Sequence, residues 1–361
     1  MQSSFSQLKK LFTILIISSL AISCSRDVEV VSIPDVNFEK ALIKLGLDKV
    51  QDGKLKVTDE VKTRKKLDIS KSNIVNLTGI QAFSDLINLD FSENQILNPE
   101  LKYNIKLSRL DCSDNKLLFL NIANNTSLDT VLCARNLLTN IDLANNKLLQ
   151  LLNCSNNKLT RLNLLNNKEL LSVNFESNKI DSIDLTNNIN LVRLKCSDNN
   201  LSDLNLKNNE KLEILYCLNN NLSKTDLSHT SRLKKINISN NKVVDLKLGY
   251  CYQLDYLNCS NNKNLDSVDI SKTSSLITLD VSNTNIKELN VFQNHSLGTL
   301  VCDNSVKDFF QLQSFVSMNR IKNEVKQNNS SNNNDDSNFK LNIIIGLIAV
   351  IIIAKGLKRI I

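Results

Sequence analysis

Leucine recurs in this chain on a fixed beat. The segments LINLDFSEN (86–94), LVRLKCSDN (191–199) and LDYLNCSNN (254–262) share one pattern. It reads leucine, two variable residues, leucine, one variable residue, an apolar residue, two more residues and asparagine, and it returns every 21 or 22 residues. A constant period over most of a chain means a solenoid, in which each unit buries its apolar face only against its neighbours. A chain of 361 residues would ordinarily divide into domains, but a solenoid grows in one dimension. It presents a long surface and not a closed pocket, which points to binding.

The register is fixed on the apolar position. It holds Ile69, Phe91, Cys112, Cys133, Cys154, Phe175, Cys196, Cys217, Ile238, Cys259, Val281 and Cys302. Three residues later comes a ladder of Asn94, Asn115, Asn136, Asn157, Asn178, Asn199, Asn220, Asn241 and Asn262. Asn73 falls one residue late at the start, and Thr284 and Ser305 replace asparagine at the end. An inward amide stacked on identical amides satisfies backbone groups that a buried turn would otherwise strand. With only seven Gly and two Pro in the chain, the turns are expected to rest on paired asparagines, which tolerate the left-handed region.

Each unit has a second half. TRLNLLNN (160–167), SIDLTNN (182–188) and DLNLKNN (203–209) carry their own column: Asn125, Asn146, Asn167, Asn188, Asn209, Thr230, Cys251, Thr273 and Asn294. The LxL alternation predicts a second short strand per turn. The expected fold is a β-rich solenoid of about twelve turns at about 4.8 Å each, with parallel strands on both faces and helical caps at each end.

With these columns in hand, the chain resembles the bacterial leucine-rich-repeat proteins of the 21-residue class, LxxLxCxxNxLxxLDLxxN, similar to secreted and lipoprotein members common in Bacteroidota. The opening IPDVNFEKALIKLGLD (33–48) and NLTGIQAFSDLINLDFSENQI (76–96) resemble that group's amino-terminal cap and first repeats. The resemblance spans roughly residues 33–305. It implies a recognition module and names no ligand, because the fold hosts many unrelated binders.

Other chemistries find little support. Of nine Cys, seven sit in the apolar column, Cys251 replaces an asparagine and Cys24 stands apart. Their spacing is the repeat period, so they read as buried small hydrophobes and not as a metal site. A bridge such as Cys112–Cys133 is within reach along the column, but parallel in-register side chains disfavour its torsion. The two His, His229 and His295, lie in turn segments, and no nucleophile–base–orienter set is visible. The expectation is no catalysis, no metal and no cofactor. A net charge of +7 with both signs interleaved does not suggest a nucleic-acid partner.

The ends carry export and membrane signals. Residues 1–23 read as a signal peptide, with Lys9 and Lys10 before an apolar stretch from Leu11 to Ile22. LAISC (20–24) resembles the lipobox of bacterial lipoproteins, with Ser23 fitting and Ala21 where Leu is usual. That resemblance implies lipidation of Cys24, followed by a spacer over 24–32. Residues 33–66 are expected to form an amino-terminal cap, 67–305 the repeats and 306–326 a carboxy-terminal helical cap. QNNSSNNNDDSN (327–338) reads as a polar linker. FKLNIIIGLIAVIIIAKGLKRII (339–361) reads as a transmembrane or sorting tail, its basic end cytoplasmic. Three arrangements reconcile tail and lipid: an inner-membrane tail anchor, a cleavable sorting tail, or double anchoring. A buried cap helix is the alternative for the tail itself. The expected location is the envelope of a bacterium, periplasmic or surface-facing.

The residues just before the apolar column should point outward, and most are polar and monotonous: Asp90, Asp111, Asn153, Asn174, Asn237, Asn258 and Asp280. Two departures are candidate partner-binding spots for a protein or glycan. Leu132 with Leu151 forms one; Ile214, Tyr216, Leu218 and Tyr256 form the other. The competing reading is a structural spacer or periplasmic scaffold whose length matters more than any patch.

Overall fold

The computed structural model describes residues 29–303 and 306. Cys24, the linker, the tail and nearly all of the expected carboxy-terminal cap lie outside the described residues.

The chain enters through a mixed unit. Strand β1 (Val30–Ser32) pairs antiparallel with β2 (Lys54–Lys56), and helix α1 (Val36–Lys44) lies between them in sequence. The helix buries Phe38 and Leu42 in the common core. Gly46, with φ of 74°, follows its end, the left-handed glycine that commonly stops a helix. A short helix α2 (Asp59–Thr63), capped by Thr58, leads to the first repeat strand. Asp35 holds this unit in place. Its Oδ1 accepts from the N–H groups of Asn37 and Phe38 at 2.8 and 3.0 Å, while Oδ2 accepts from Val75 and Asn76 at 2.7 and 2.8 Å. One carboxylate thus caps the helix and fastens it to the first repeat. Asp35→Ala is expected to cost about 1–2 kcal/mol by uncapping the helix and releasing it from the first repeat, readable as a lower urea midpoint. Gly79 marks the same junction: a Cβ there would sit 2.0 Å from the Ile33 side chain, at a φ of 107°.

The repeats then build one parallel sheet of twelve strands. These are β3 (Lys66–Asp68), β4 (Asn88–Asp90), β5 (Arg109–Asp111), β6 (Thr130–Leu132), β7 (Leu151–Asn153) and β8 (Ser172–Asn174). They continue as β9 (Arg193–Lys195), β10 (Ile214–Tyr216), β12 (Lys235–Asn237), β14 (Tyr256–Asn258), β15 (Thr278–Asp280) and β16 (Thr299–Val301). From β3 to β15 the middle residue of each strand is buried, from Leu67 to Leu279, while its neighbours face out. The core is one continuous column running from Ile33 to Val306. At about 4.8 Å per strand, eleven steps span about 53 Å.

The asparagine ladder does what its register predicts. Asn136 donates from Nδ2 to the carbonyls of Cys112, Cys133 and Ala134, and its Oδ1 accepts from Leu117 N–H at 2.9 Å. Each amide therefore ties its own turn to the turn before it. Asn73 does not join the ladder; it is exposed, with a φ of 55°.

Two expectations need correction. The left-handed residue is the one immediately before the ladder asparagine, and it is Asn only in part. Asn156, Asn219, Asn240, Asn261 and Asn283 hold it, but so do Glu93, Asp114, Arg135, Ser177 and Asp198, all at φ of 53–58°. The side-chain amide of the next residue bonds the two carbonyls that precede the left-handed residue, as Asn136 bonds those of Cys133 and Ala134, so the turn is pinned from outside. That offsets the roughly 1–2 kcal/mol such a residue costs.

The second face, expected to carry a strand in every turn, forms paired strands among the described residues at β11 (Lys224–Leu227) and β13 (Asp245–Leu248). Elsewhere side chains make the cross-turn bonds. Asn145, Asn166, Asn187 and Asn208 donate to the carbonyls of Ala123, Ala144, Leu165 and Thr186 in the preceding turn. Where that asparagine column gives way to His229 and Tyr250, the two backbones pair directly.

Candidate binding face

The outward residues of the sheet form two rows, one from the first and one from the third position of each strand. The first row runs Lys66, Asn88, Arg109, Thr130, Leu151, Ser172, Arg193, Ile214, Lys235, Tyr256, Thr278, Thr299. The second row runs Asp68, Asp90, Asp111, Leu132, Asn153, Asn174, Lys195, Tyr216, Asn237, Asn258, Asp280, Val301. The residues of β4–β15 in the second row are half-buried by their neighbours.

This register refines the two expected spots. Leu132 and Leu151 sit on adjacent strands but in different rows, so they meet only on the diagonal; Leu151 is 36% exposed. Ile214 and Tyr216 share β10 and one face. Tyr256 does not touch that pair directly in the lattice of the sheet: it lies two strands away in the Ile214 row, with Lys235 between. Leu218 follows the strand, at the position where other turns place Ser113, Ser155, Ser197 or Ser239. The spot is therefore an elongated strip and not a cluster. Lys195 places its Nζ 5.7 Å from the centre of the Tyr216 ring, a cation–π contact on the partly exposed face.

Acidic residues gather at one end of the second row, beside Lys66 and Arg109 of the first. There Asp68, Asp90 and Asp111 stack on successive strands. Burial raises the Asp111 carboxyl above its ordinary value, and the charge of Asp90 adds to this, against the bonds it receives from Ser113. Asp68 is held low by the hydroxyl and N–H of Ser70. Towards the other end, Arg193, Lys195 and Lys235 surround Ile214 and Tyr216.

Behind the face lie the cysteines. All eight described cysteines are free thiols, and seven are buried. Burial pushes the thiols of Cys154 and Cys259 up to about 12, and that of Cys302 to about 11. They are packing groups of the column. Among the described residues no group of three or more His, Cys, Asp or Glu is placed to hold a metal ion, and no helix is long and apolar enough to cross a membrane.

No sequence profile of a known protein family matches the chain, and no curated protein matches it. Solved structures do. The internalin InlF of Listeria monocytogenes superposes with a TM-score of 0.64 at 20% identity, covering 82% of this chain and 96% of that one. The leucine-rich-repeat protein LIC12759 of Leptospira interrogans gives 0.62 at 20% identity, over 68% and 69% of the two chains. The fold is a leucine-rich-repeat solenoid. The functional domain of InlJ from Listeria monocytogenes, which includes a cysteine ladder, is similar at a TM-score of 0.50 and 25% identity, over 76% of each chain.

The leucine-rich-repeat solenoid also exposes apolar groups that the sequence pattern hid. Tyr250 and Tyr252, 60% and 55% exposed, stand on the turn edge with rings 6.0 Å apart. Lys272 of the next turn lies 5.8 Å over Tyr250. Tyr250 fills the column that Asn145, Asn166, Asn187 and Asn208 hold earlier, and that break of pattern was the available signal. His295, with no partner apparent in the sequence, meets the Phe292 ring edge-on at 6.5 Å.

Proposed function

We propose that this chain is an exported, envelope-tethered recognition protein that binds a protein partner through the strand face, centred on Tyr216. One observation carries the reading. On a face built largely of polar residues, β9 to β14 line up Ile214, Tyr216 and Tyr256 in one strip, with a cation stacked on Tyr216. Tyrosine and arginine are among the usual anchors of interfaces. A glycan is the second ligand class that such tyrosines suit. The reading places the chain with the 21-residue bacterial repeat proteins. It takes Cys24 as a lipid attachment point and 339–361 as an anchoring or sorting tail, on the sequence signals alone.

Replacing Tyr216 and Tyr256 together by Ala is expected to weaken partner binding at least about tenfold while the thermal midpoint moves little, since both side chains are half-exposed. A spacer, the competing role, predicts unchanged binding and at most a small loss of stability. Protease added to intact cells reads the location. Repeats degraded from outside mean surface display; repeats that survive until the outer membrane is breached mean a periplasmic anchor.

A further inference from the structure

The strip around Tyr216 has a sign. From β8 to β14 the ten outward positions are Ser172, Asn174, Arg193, Lys195, Ile214, Tyr216, Lys235, Asn237, Tyr256 and Asn258. Three are cations and none is a carboxylate. Arg193 and Lys235 are exposed, and none of the three cations enters an ion pair among the described residues. Of the neighbouring carboxylates, Glu213 is bonded to Lys234 at 2.9 Å and also feels the charge of Arg193, and Asp255 precedes Tyr256. Cations that enter no ion pair around an aromatic centre favour a partner of opposite charge.

We propose that the partner presents an acidic, partly apolar peptide segment that runs across the strands, its carboxylates on Arg193, Lys195 and Lys235 and its apolar side chains on Ile214, Tyr216 and Tyr256. This rests on the reading of the strand face as the binding face. The dimensions fit. Arg193 and Lys235 are two strands apart, about 9.6 Å, close to the roughly 9.3 Å between residues three apart on a polyproline II peptide, which share one face. A polyanion such as heparin or nucleic acid fits less well. Such ligands follow continuous basic tracks, whereas here Ile214 and Tyr216 fall between the charges and need apolar groups opposite them.

The test pans a displayed library of random peptides on the full-length chain and titrates the enriched sequences as synthetic peptides. The variants are Arg193→Gln/Lys195→Gln/Lys235→Gln and Tyr216→Ala/Tyr256→Ala, each checked for fold by circular dichroism. The expected result is enrichment of carboxylates about three residues apart around apolar residues, with Kd rising about tenfold in the triple variant and steeply with salt. Peptides without acidic bias, lost in the tyrosine variant but unchanged in the triple variant, would overturn the acidic partner and leave the binding face standing. Binding by polyglutamate or heparin as tight as by the peptides would overturn it in favour of a generic polyanion. A library with no binder sensitive to either variant would overturn both readings.

Discussion

Asn199→Ala is expected to lower stability by about 3 kcal/mol, far more than an average surface change. The Asn199 amide donates to the carbonyls of Phe175, Cys196 and Ser197 at 3.0, 3.2 and 3.0 Å and accepts from Ile180 N–H at 3.0 Å. The acceptors keep other donors: Asn178 still reaches Phe175, Asn220 still reaches Cys196, and Ser177 N–H still reaches Ser197. The Ile180 N–H keeps none and is left buried and unpaired. The second asparagine column behaves differently. Asn188 donates to the carbonyls of Leu164 and Asn167, but its Oδ1, like that of Asn125, Asn146, Asn167 and Asn209, accepts no hydrogen bond among the described residues. The chain itself replaces this column with Thr230 and Thr273, whose hydroxyls donate to Leu227 and Ile270 at 2.8 Å. Asn188→Thr should therefore cost about 1 kcal/mol, close to one neutral hydrogen bond. Chemical denaturation of the two variants beside the parent separates the columns, and equal losses would mean that the accepted bond from Ile180 is unimportant.

The second large effect is alkaline. Burial raises the thiols of Cys112, Cys133, Cys154, Cys196 and Cys259 above their ordinary 9.0. Below pH 9 the thiols are protonated in both folded and unfolded chains, and their contribution to stability is fully present. As pH rises from 9 towards 12 the unfolded chain loses these protons while the folded chain holds them. Each thiol then costs about 1.4 kcal/mol per pH unit, so five at pH 10.5 cost on the order of 10 kcal/mol. Thermal midpoints under reductant should fall steeply between pH 8 and pH 10.5. In a variant with valine at these five positions, as the chain already has at Val281 in the same column, the fall should be much shallower. Lysine and tyrosine titrate alike in both proteins, so the difference isolates the thiols. An unchanged pH dependence would mean that the column is wetter than its geometry says.

The inward half of the molecule was legible in the sequence because every inward position repeats. Cys112, Cys133 and Cys154 announce one column, and Asn94 to Asn262 another, and a column has only one way to stack. The second face was misread because alternation in LNL or LDL gives extended backbone without fixing its partner. There, the amides of Asn145 or Asn187 span the turns and the strands do not form. The left-handed turn residue escaped because the amide after it fixes the turn, so Glu93 and Arg135 serve as well as Asn156. On the candidate face the sequence pointed to these outward side chains but not to their arrangement. Tyr256 follows Ile214, not Tyr216, by two repeats, and only the register shows Lys235 between them. Arg193 and Lys235 went unremarked because, in a chain of mixed charge, they look like ordinary solvated residues until the sheet lines them up beside Lys195.

The most direct test of strand-face recognition is photo-crosslinking. A tight-binding selected peptide carrying a diazirine side chain is bound to the full chain and irradiated, and the labelled residues are read by mass spectrometry. Label on Ile214, Tyr216, Lys235 or Tyr256 is the predicted result. Label concentrated on the turn edge, at Tyr250, Tyr252 and Phe292, with the strand face clean, would contradict it.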